Sequence, residues 1–399
     1  MLKSAPLQIV SGAGAEDVAR LLLDAVRLAR RVVAASRGPR GTDAAPALIG
    51  EKVRNEAAML LRSAWPLRTS TPDLSAELDG LADDLATRDV GELGVRLCLH
   101  PGIAIDLALV PLHLRDISRS DPRVDALLDA ILNDRLHGPE RPANRQLEQL
   151  WLQSLWTGEV DSTAVDAVAH SSCLAWEFDH LSGTTDDAYA FTHAILYATD
   201  HGRRRIPLPR PVDQIVADAD GILAVALAAE NYDVAAEILW TWPMLHIPWS
   251  QLAVEAWHLL ANIALTTGFL PGPGFDEAIL DRLPAAEQDA YLLQTSYHTT
   301  LVHGMLLAAA VGPAAPALPA FLTSRQTHTD PATVTMALRR AVATADIAAI
   351  ATIVRDADDS GLPATPALRQ SRRLLATAAV CAKLAQVRRR AAAPNTEPA

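Results

Sequence analysis

Apolar residues return every three or four positions along most of this sequence, and that spacing is the mark of amphipathic α-helix. Val18, Leu21, Leu22, Ala25, Leu28, Ala29 and Val32 make one such stripe. A second runs roughly from Ala47 to Trp65 and stops at Pro66; a third comes after Pro72 and ends near Asp89. Sustained period-two alternation between turn residues, which would indicate strands, is missing. Pro and Gly punctuate instead, at Pro101-Gly102, Gly138-Pro139, Pro207, Pro209, Pro211 and Pro271-Gly272-Pro273-Gly274. The expected fold class is all-α, and the short connections predict antiparallel neighbours. Ile215 to Ala229 reads as one helix, Asn231-Tyr232-Asp233 as a turn, and Val234 to Trp240 as the opening of the next. No fixed period repeats along the chain, which speaks against a regular tetratricopeptide array. The expectation is an irregular stack of antiparallel helical hairpins, solenoid-like or closed into a toroid.

Local signals support these helices. Asp330 before Pro331 is a start signal, with Pro at the first helical position. Ser250 can cap a helix, with Trp249 before it stapling onto Val254. Leu301 to Val311 is apolar but too short to span a bilayer, and prolines at 313, 316 and 319 interrupt the chain beyond it.

The chain of 399 residues, half of them hydrophobic, can bury a large core without staples. Its chemically useful side chains are concentrated. All five tyrosines lie between Tyr189 and Tyr297, seven of the eight tryptophans between Trp151 and Trp257, and eight of the twelve histidines between His170 and His303. The expected organisation is an N-terminal packing region (1–140), a central region (141–311), C-terminal helices (312–390) and a disordered tail (391–399). The formal net charge of −12 argues against a nucleic-acid partner, because phosphate binding needs a positive face. Arg203-Arg204-Arg205 and Arg388-Arg389-Arg390 are too small to change this. Three scattered cysteines, no leader-like start and no long apolar run suggest a cytoplasmic chain without a membrane span.

The segment from Thr184 to Gly202 is the most suggestive. It reads as one helix on which Asp186, His193, Tyr197 and Asp200 fall at i, i+7, i+11 and i+14, on one face. Such a stripe could line a polar cavity, with His193 as acid/base, Tyr197 as hydrogen-bond donor and Asp200 beside them. The plainer reading is that Asp186 and Asp187 serve the helix dipole and that Asp200-His201-Gly202 is a cap. Tyr297-His298 forms a second cluster; if its helix packs against the first, His193 and His298 approach each other. His298 and His303 are five apart and do not share a face as a metal pair would. Glu177 and His180, at i and i+3, could place two ligands together. Trp240 and Trp242 could wall an apolar pocket, although such residues more often fill gaps between helices.

Asp356-Ala357-Asp358-Asp359 matches the acid motif of class II terpene cyclases, but it stands far from the aromatic region and before Gly361 and Pro363. No zincin motif, duplicated E-x-x-H, phosphate loop, nucleophile elbow or dinucleotide fingerprint occurs, so no cofactor is named and the metal question stays open.

Thr192-His193 through Gly202, with Leu239-Trp240-Thr241-Trp242-Pro243 and Tyr297-His298-Thr299, resembles an uncharacterised family of all-helical actinobacterial proteins over about residues 150–305. Some members accompany natural-product gene sets. The resemblance implies a setting in specialised metabolism and no mechanism.

The leading expectation is a protein that binds a small organic molecule or a modified peptide, as an accessory or tailoring protein. The pocket would be lined by Asp186, Asp187, His193, Tyr197, Asp200, Tyr297 and His298, with Trp240 and Trp242 nearby. The alternatives are an enzyme using acid/base or metal-assisted chemistry in that pocket and a helical scaffold for another protein.

Overall fold

The computed structural model describes residues 15–36, 47–87, 89–132, 140–312 and 331–392. Every regular element among them is helical. In chain order they are α1 (Ala15–Ala35), α2 (Ala47–Ala64), α3 (Pro72–Leu85), α4 (Val90–Leu99), α5 (Ala104–Leu107), α6 (Leu109–Asp116), α7 (Pro122–Leu132), α8 (Ala143–Thr157), α9 (Ser162–His170) and α10 (Thr185–Ala198). Next come α11 (Val212–Ala228), α12 (Tyr232–Ile238), α13 (Thr241–Leu245), α14 (Gln251–Thr267), α15 (Glu277–Leu280), α16 (Ala285–Ala310), α17 (Pro331–Ala343), α18 (Ile347–Asp359) and α19 (Pro366–Ala392). Among the described residues no helix is long and apolar enough to cross a membrane.

The helix starts are set by side-chain caps. Thr71, Asp89, Asp161, Asn231 and Ser250 each accept a backbone N–H from the first turn of the adjoining helix. The expected breaks at Pro313, Pro316 and Pro319, the Gly138-Pro139 turn and the Asp330 cap lie outside the described residues, as does 393–399 of the expected tail; Ala391 and Ala392 close α19.

One contiguous apolar core runs from Val18 to Ala310. At its centre α16 crosses α1 and α2. Gly304 permits that crossing: a Cβ there would lie 2.8 Å from the Ala25 Cβ and 3.0 Å from a Leu60 methyl. The long helix α16 thus passes close to α1 and α2 and also packs on α12, which in turn touches α10 and α11. A second, smaller core joins α17, α18 and α19 around Val334, Leu338, Ile350, Val354 and Leu368, with Leu181 inserted from the chain before α10. Hydrogen bonds latch this unit in place. Arg339 donates to the carbonyls of His180 and Gly183 at 2.9 and 2.8 Å, and Gln370 bonds the backbone of Phe178 and His180.

Candidate functional site

Helix α12 carries the centre of the site. Asn231 caps it by accepting the Val234 N–H, and this pulls Tyr232 and Asp233 into the first helical turn. Asp233, expected in a turn, is therefore helical and stands one turn before Glu237 on the same face. Both carboxylates are almost wholly buried. Helix α10 supplies hydrogen-bond donors from a matching face: the Tyr189 hydroxyl donates to Asp233 Oδ2 at 2.5 Å, and Thr192 Oγ1 donates to Glu237 Oε2 at 2.6 Å. One position on, His193 Nε2 lies 3.8 Å from the same Glu237 oxygen.

Helix α16 brings His298 between two acids. Its Nε2 lies 3.5 Å from Asp233 Oδ2, and its Nδ1 lies 3.0 Å from Oε1 of Glu56 on α2. Tyr297 reaches Glu56 as well, and Lys52 Nζ stands 3.5 Å from the same carboxylate. Four helices thus converge three carboxylates and two imidazoles on one seam. One oxygen of Asp233 (Oδ1) and one of Glu56 (Oε2) are buried without a hydrogen-bond partner. Asp233, Glu237 and His298 each offer a ligand atom, all within 4.8 Å of one another, which makes them the group here that could hold a metal ion.

The ring of His193 is held by its own helix. Tyr189 and Tyr197, one turn either side, stack against it at centroid distances of 6.1 and 5.7 Å. The Tyr197 hydroxyl is itself fixed, donating to Glu148 Oε1 at 2.9 Å, while Arg145 donates to the other Glu148 oxygen at 2.7 Å.

The electrostatics divide the cluster. Burial, and then the neighbouring Asp233 charge, pushes the Glu237 carboxyl up to about 8. For Asp233 burial works the same way, but the hydrogen bond and charge of His298 outweigh it and hold this carboxyl below its usual range. His298 shows the complement: burial alone would depress it, yet Asp233 and Glu56 lift it to about 10. His193 lacks such a close pair. Burial, then the Arg145 and His298 charges, lowers it to about 4. At neutral pH the seam therefore holds a neutral imidazole beside a carboxyl that keeps its proton, a division of the kind used in proton transfer.

A family-wide sequence comparison matches residues 22–308 to a domain of unknown function, DUF6895. The chain belongs to the DUF6895 family. No curated protein and no solved structure matches it. The DUF6895 match reaches further than the 150–305 expected from the sequence, and it contains Glu56, His193, Asp233, Glu237 and His298. Helices α17 to α19 lie beyond it.

Within the DUF6895 domain the expected site residues part company. His193 and His298 do converge, both on α12. Tyr297 stands beside His298, ring edge to ring. Tyr197 is buried behind His193 and its hydroxyl is occupied, so it positions the imidazole instead of facing a ligand. Asp186 and Asp187 are exposed; Asp187 closes a capping box with Thr184. Trp240 and Trp242 are core residues, 2% and 0% exposed, and Trp242 stacks on Trp249.

Asp200 leaves the expected face altogether. Helix α10 ends at Ala198, and Asp200, His201 and Gly202 all take positive φ, so the 3.6-residue register stops before Asp200. Its carboxylate pairs with buried Arg62 at 2.8 Å and accepts the Trp151 indole N–H at 2.6 Å. Glu177 and His180 are likewise drawn apart: Glu177 pairs with Arg369 and Arg373, whereas His180 lies in the core, 2.9 Å from Asp218. Asp356, Asp358 and Asp359 are exposed on α18, and Asp358 pairs with Arg372, so the three acids of the terpene-cyclase-like motif face water, where acid-initiated cyclisation needs it excluded.

Sequence reasoning missed Glu56, Asp233 and Glu237. Their signal was present but faint: Asp233 and Glu237 are two acids in an otherwise apolar run, Val234-Ala235-Ala236 and Ile238-Leu239-Trp240. Charged residues at core-facing positions are the informative exceptions to burial.

Proposed function

We propose that this protein binds a small polar ligand in the seam between α2, α10, α12 and α16 and moves a proton on it at His193. One observation carries the reading. The imidazoles of His193 and His298 are 23% and 30% exposed, while Glu237 and Asp233 beneath them are 3% and 2% exposed. The two imidazoles are thus partly exposed to solvent and the two carboxylates buried. Gathering acids in a buried place costs stability, and apolar residues of similar size would serve packing better. Perturbed, partner-specific titration is a pointer to a working site. The buried carboxylate oxygens favour ligands that offer N–H and O–H donors. His193, neutral at pH 7, is placed to accept a proton, and Glu237 to supply one.

This keeps the small-molecule reading and joins it to the acid/base alternative. The residues doing the work differ: Asp233, Glu237 and Glu56 replace Asp186, Asp200 and the tryptophans. A role as an accessory or tailoring protein of specialised metabolism is part of the same proposal and draws on the family resemblance alone.

Ligand-observed NMR with a set of small amines and polyols tests it. The expected result is a group of binders that His193→Ala and Glu237→Gln both release while circular dichroism keeps the wild-type helical signal. Binding that neither substitution alters overturns the proposal.

A further inference from the structure

We propose that Asp233, Glu237 and the Nε2 atom of His298 bind one divalent metal ion of the zinc, manganese or iron class, with Glu56 as the carboxylate behind the imidazole. The proposal rests on the seam being the working site and names an ion that the site holds.

The spacing is the first argument. The donor atoms of these three residues lie within 4.8 Å of one another. Ligands about 2.1 Å from one ion stand about 3.4 Å apart in a tetrahedral site, so closing the site needs each donor to move inward by up to about 0.8 Å. Two of the three residues are one helical turn apart on α12, which fixes their relative placement.

The outer partners are the second argument. A metal-bound histidine gives its other ring nitrogen to a carboxylate or carbonyl, which orients the ring. His298 approaches that arrangement: Nε2 faces Asp233, and Nδ1, buried without an aligned hydrogen bond, lies 3.0 Å from Glu56 Oε1, within reach of one. The carboxylates are also held from outside, Asp233 by the Tyr189 hydroxyl and Glu237 by Thr192. The third argument is independent of the cluster's composition. Asp233 is 2% exposed, and its Oδ1 has no hydrogen-bond partner. A buried carboxylate oxygen left unpaired is costly, and an ion is one of the few things that accounts for it.

Donor chemistry selects the class. One imidazole and two carboxylates suit zinc, manganese and iron; the imidazole disfavours magnesium and calcium, and the lack of thiolate disfavours copper(I). Three protein ligands leave coordination positions open for water or a substrate, as in catalytic sites. Metal binding displaces the Glu237 proton and the His298 Nε2 proton to solvent, and with Glu237 coordinated, proton transfer falls to His193, 3.8 Å from it.

The full-length chain, stripped with EDTA and dialysed, is titrated with ZnCl2 and MnCl2 by calorimetry, and CoCl2 is added separately for its visible spectrum. One equivalent per chain with a dissociation constant at or below the micromolar range is expected. Asp233→Asn, Glu237→Gln and His298→Ala should each abolish it, and Glu56→Gln should weaken it by about 10- to 100-fold at unchanged stoichiometry. Because a variant can misfold, Mn2+ broadening of NMR signals is read in the wild type as well. Broadening confined to residues around 233, 237 and 298 supports the site; broadening elsewhere overturns it. No binding by the wild type, or equal binding by Asp233→Asn and Glu237→Gln, also overturns it. If metal binding fails while His193→Ala still releases small polar ligands, the ion falls and the seam stands; if both fail, the seam falls too.

Discussion

His193 Nε2 stands 3.8 Å from Glu237 Oε2, with the imidazole held between the rings of Tyr189 and Tyr197. The two groups come from different helices and titrate in opposite senses: burial drives the proton off His193 and keeps it on Glu237. Neither shift requires the other, since both arise from removing a charged form from water.

Glu237→Gln tests the burial of that acid. Its folded-state pKa, about 8, exceeds the ordinary 4.5, so its contribution to stability is complete below pH 4.5 and is lost as pH rises through 8. In chelator-treated protein the variant should nearly match the wild type near pH 5 and exceed it at pH 9 by on the order of 4 kcal/mol. Thermal unfolding monitored by circular dichroism across that range is the measurement. A pH-independent difference refutes the assignment.

Acid should destabilise the fold through histidines away from the seam. His303 is buried and depressed from 6.5 to about 4, and burial also lowers His113 and His201. A depressed histidine contributes stability above pH 6.5 that disappears as pH falls toward 4. Urea unfolding at pH 7.5 and 5 should show His303 alone contributing about 2 kcal/mol to the loss. His303→Leu should lose less stability than the wild type over the same interval; an equal loss would exclude His303 as a source.

Asp200 is expected to matter for folding and not for ligand binding. It accepts hydrogen bonds from Arg62 and Trp151 and sits at φ +52°. Asp200→Asn should cost about 1.5–3 kcal/mol through the charged contacts, and Asp200→Ala roughly 1 kcal/mol more, because alanine tolerates the left-handed region poorly. Denaturant titration gives both values. Asp200→Asn as stable as the wild type contradicts this role.

Gly221→Ala probes the buried His180–Asp218 pair. A Cβ at 221 would fall 2.3 Å from the His180 ring, which must then move away from Asp218 and its second partner, Arg210. A loss of about 1–3 kcal/mol is expected from the overpacking alone. Unchanged stability would mean that the ring relocates freely.

Local chemistry was enough to specify the helices. The 3.6-residue apolar stripes and side-chain caps such as Ser250 act within a turn or two, so they are legible without neighbours. The same locality made His193 and His298 visible as candidates on separate helices. It also misplaced Asp200, because a left-handed turn after Ala198 ended the register that the spacing assumed. Asp233 reads as a turn residue until the Asn231 cap places it in α12. The meeting of Glu56, His193, Asp233, Glu237 and His298 depends on contacts between residues up to 242 positions apart. Those contacts form because α16 crosses α2 at Gly304 and rests on α12, whose other side meets α10. Periodicity says which face of a helix is buried; only the packing of one helix on another decides which buried charges share a space.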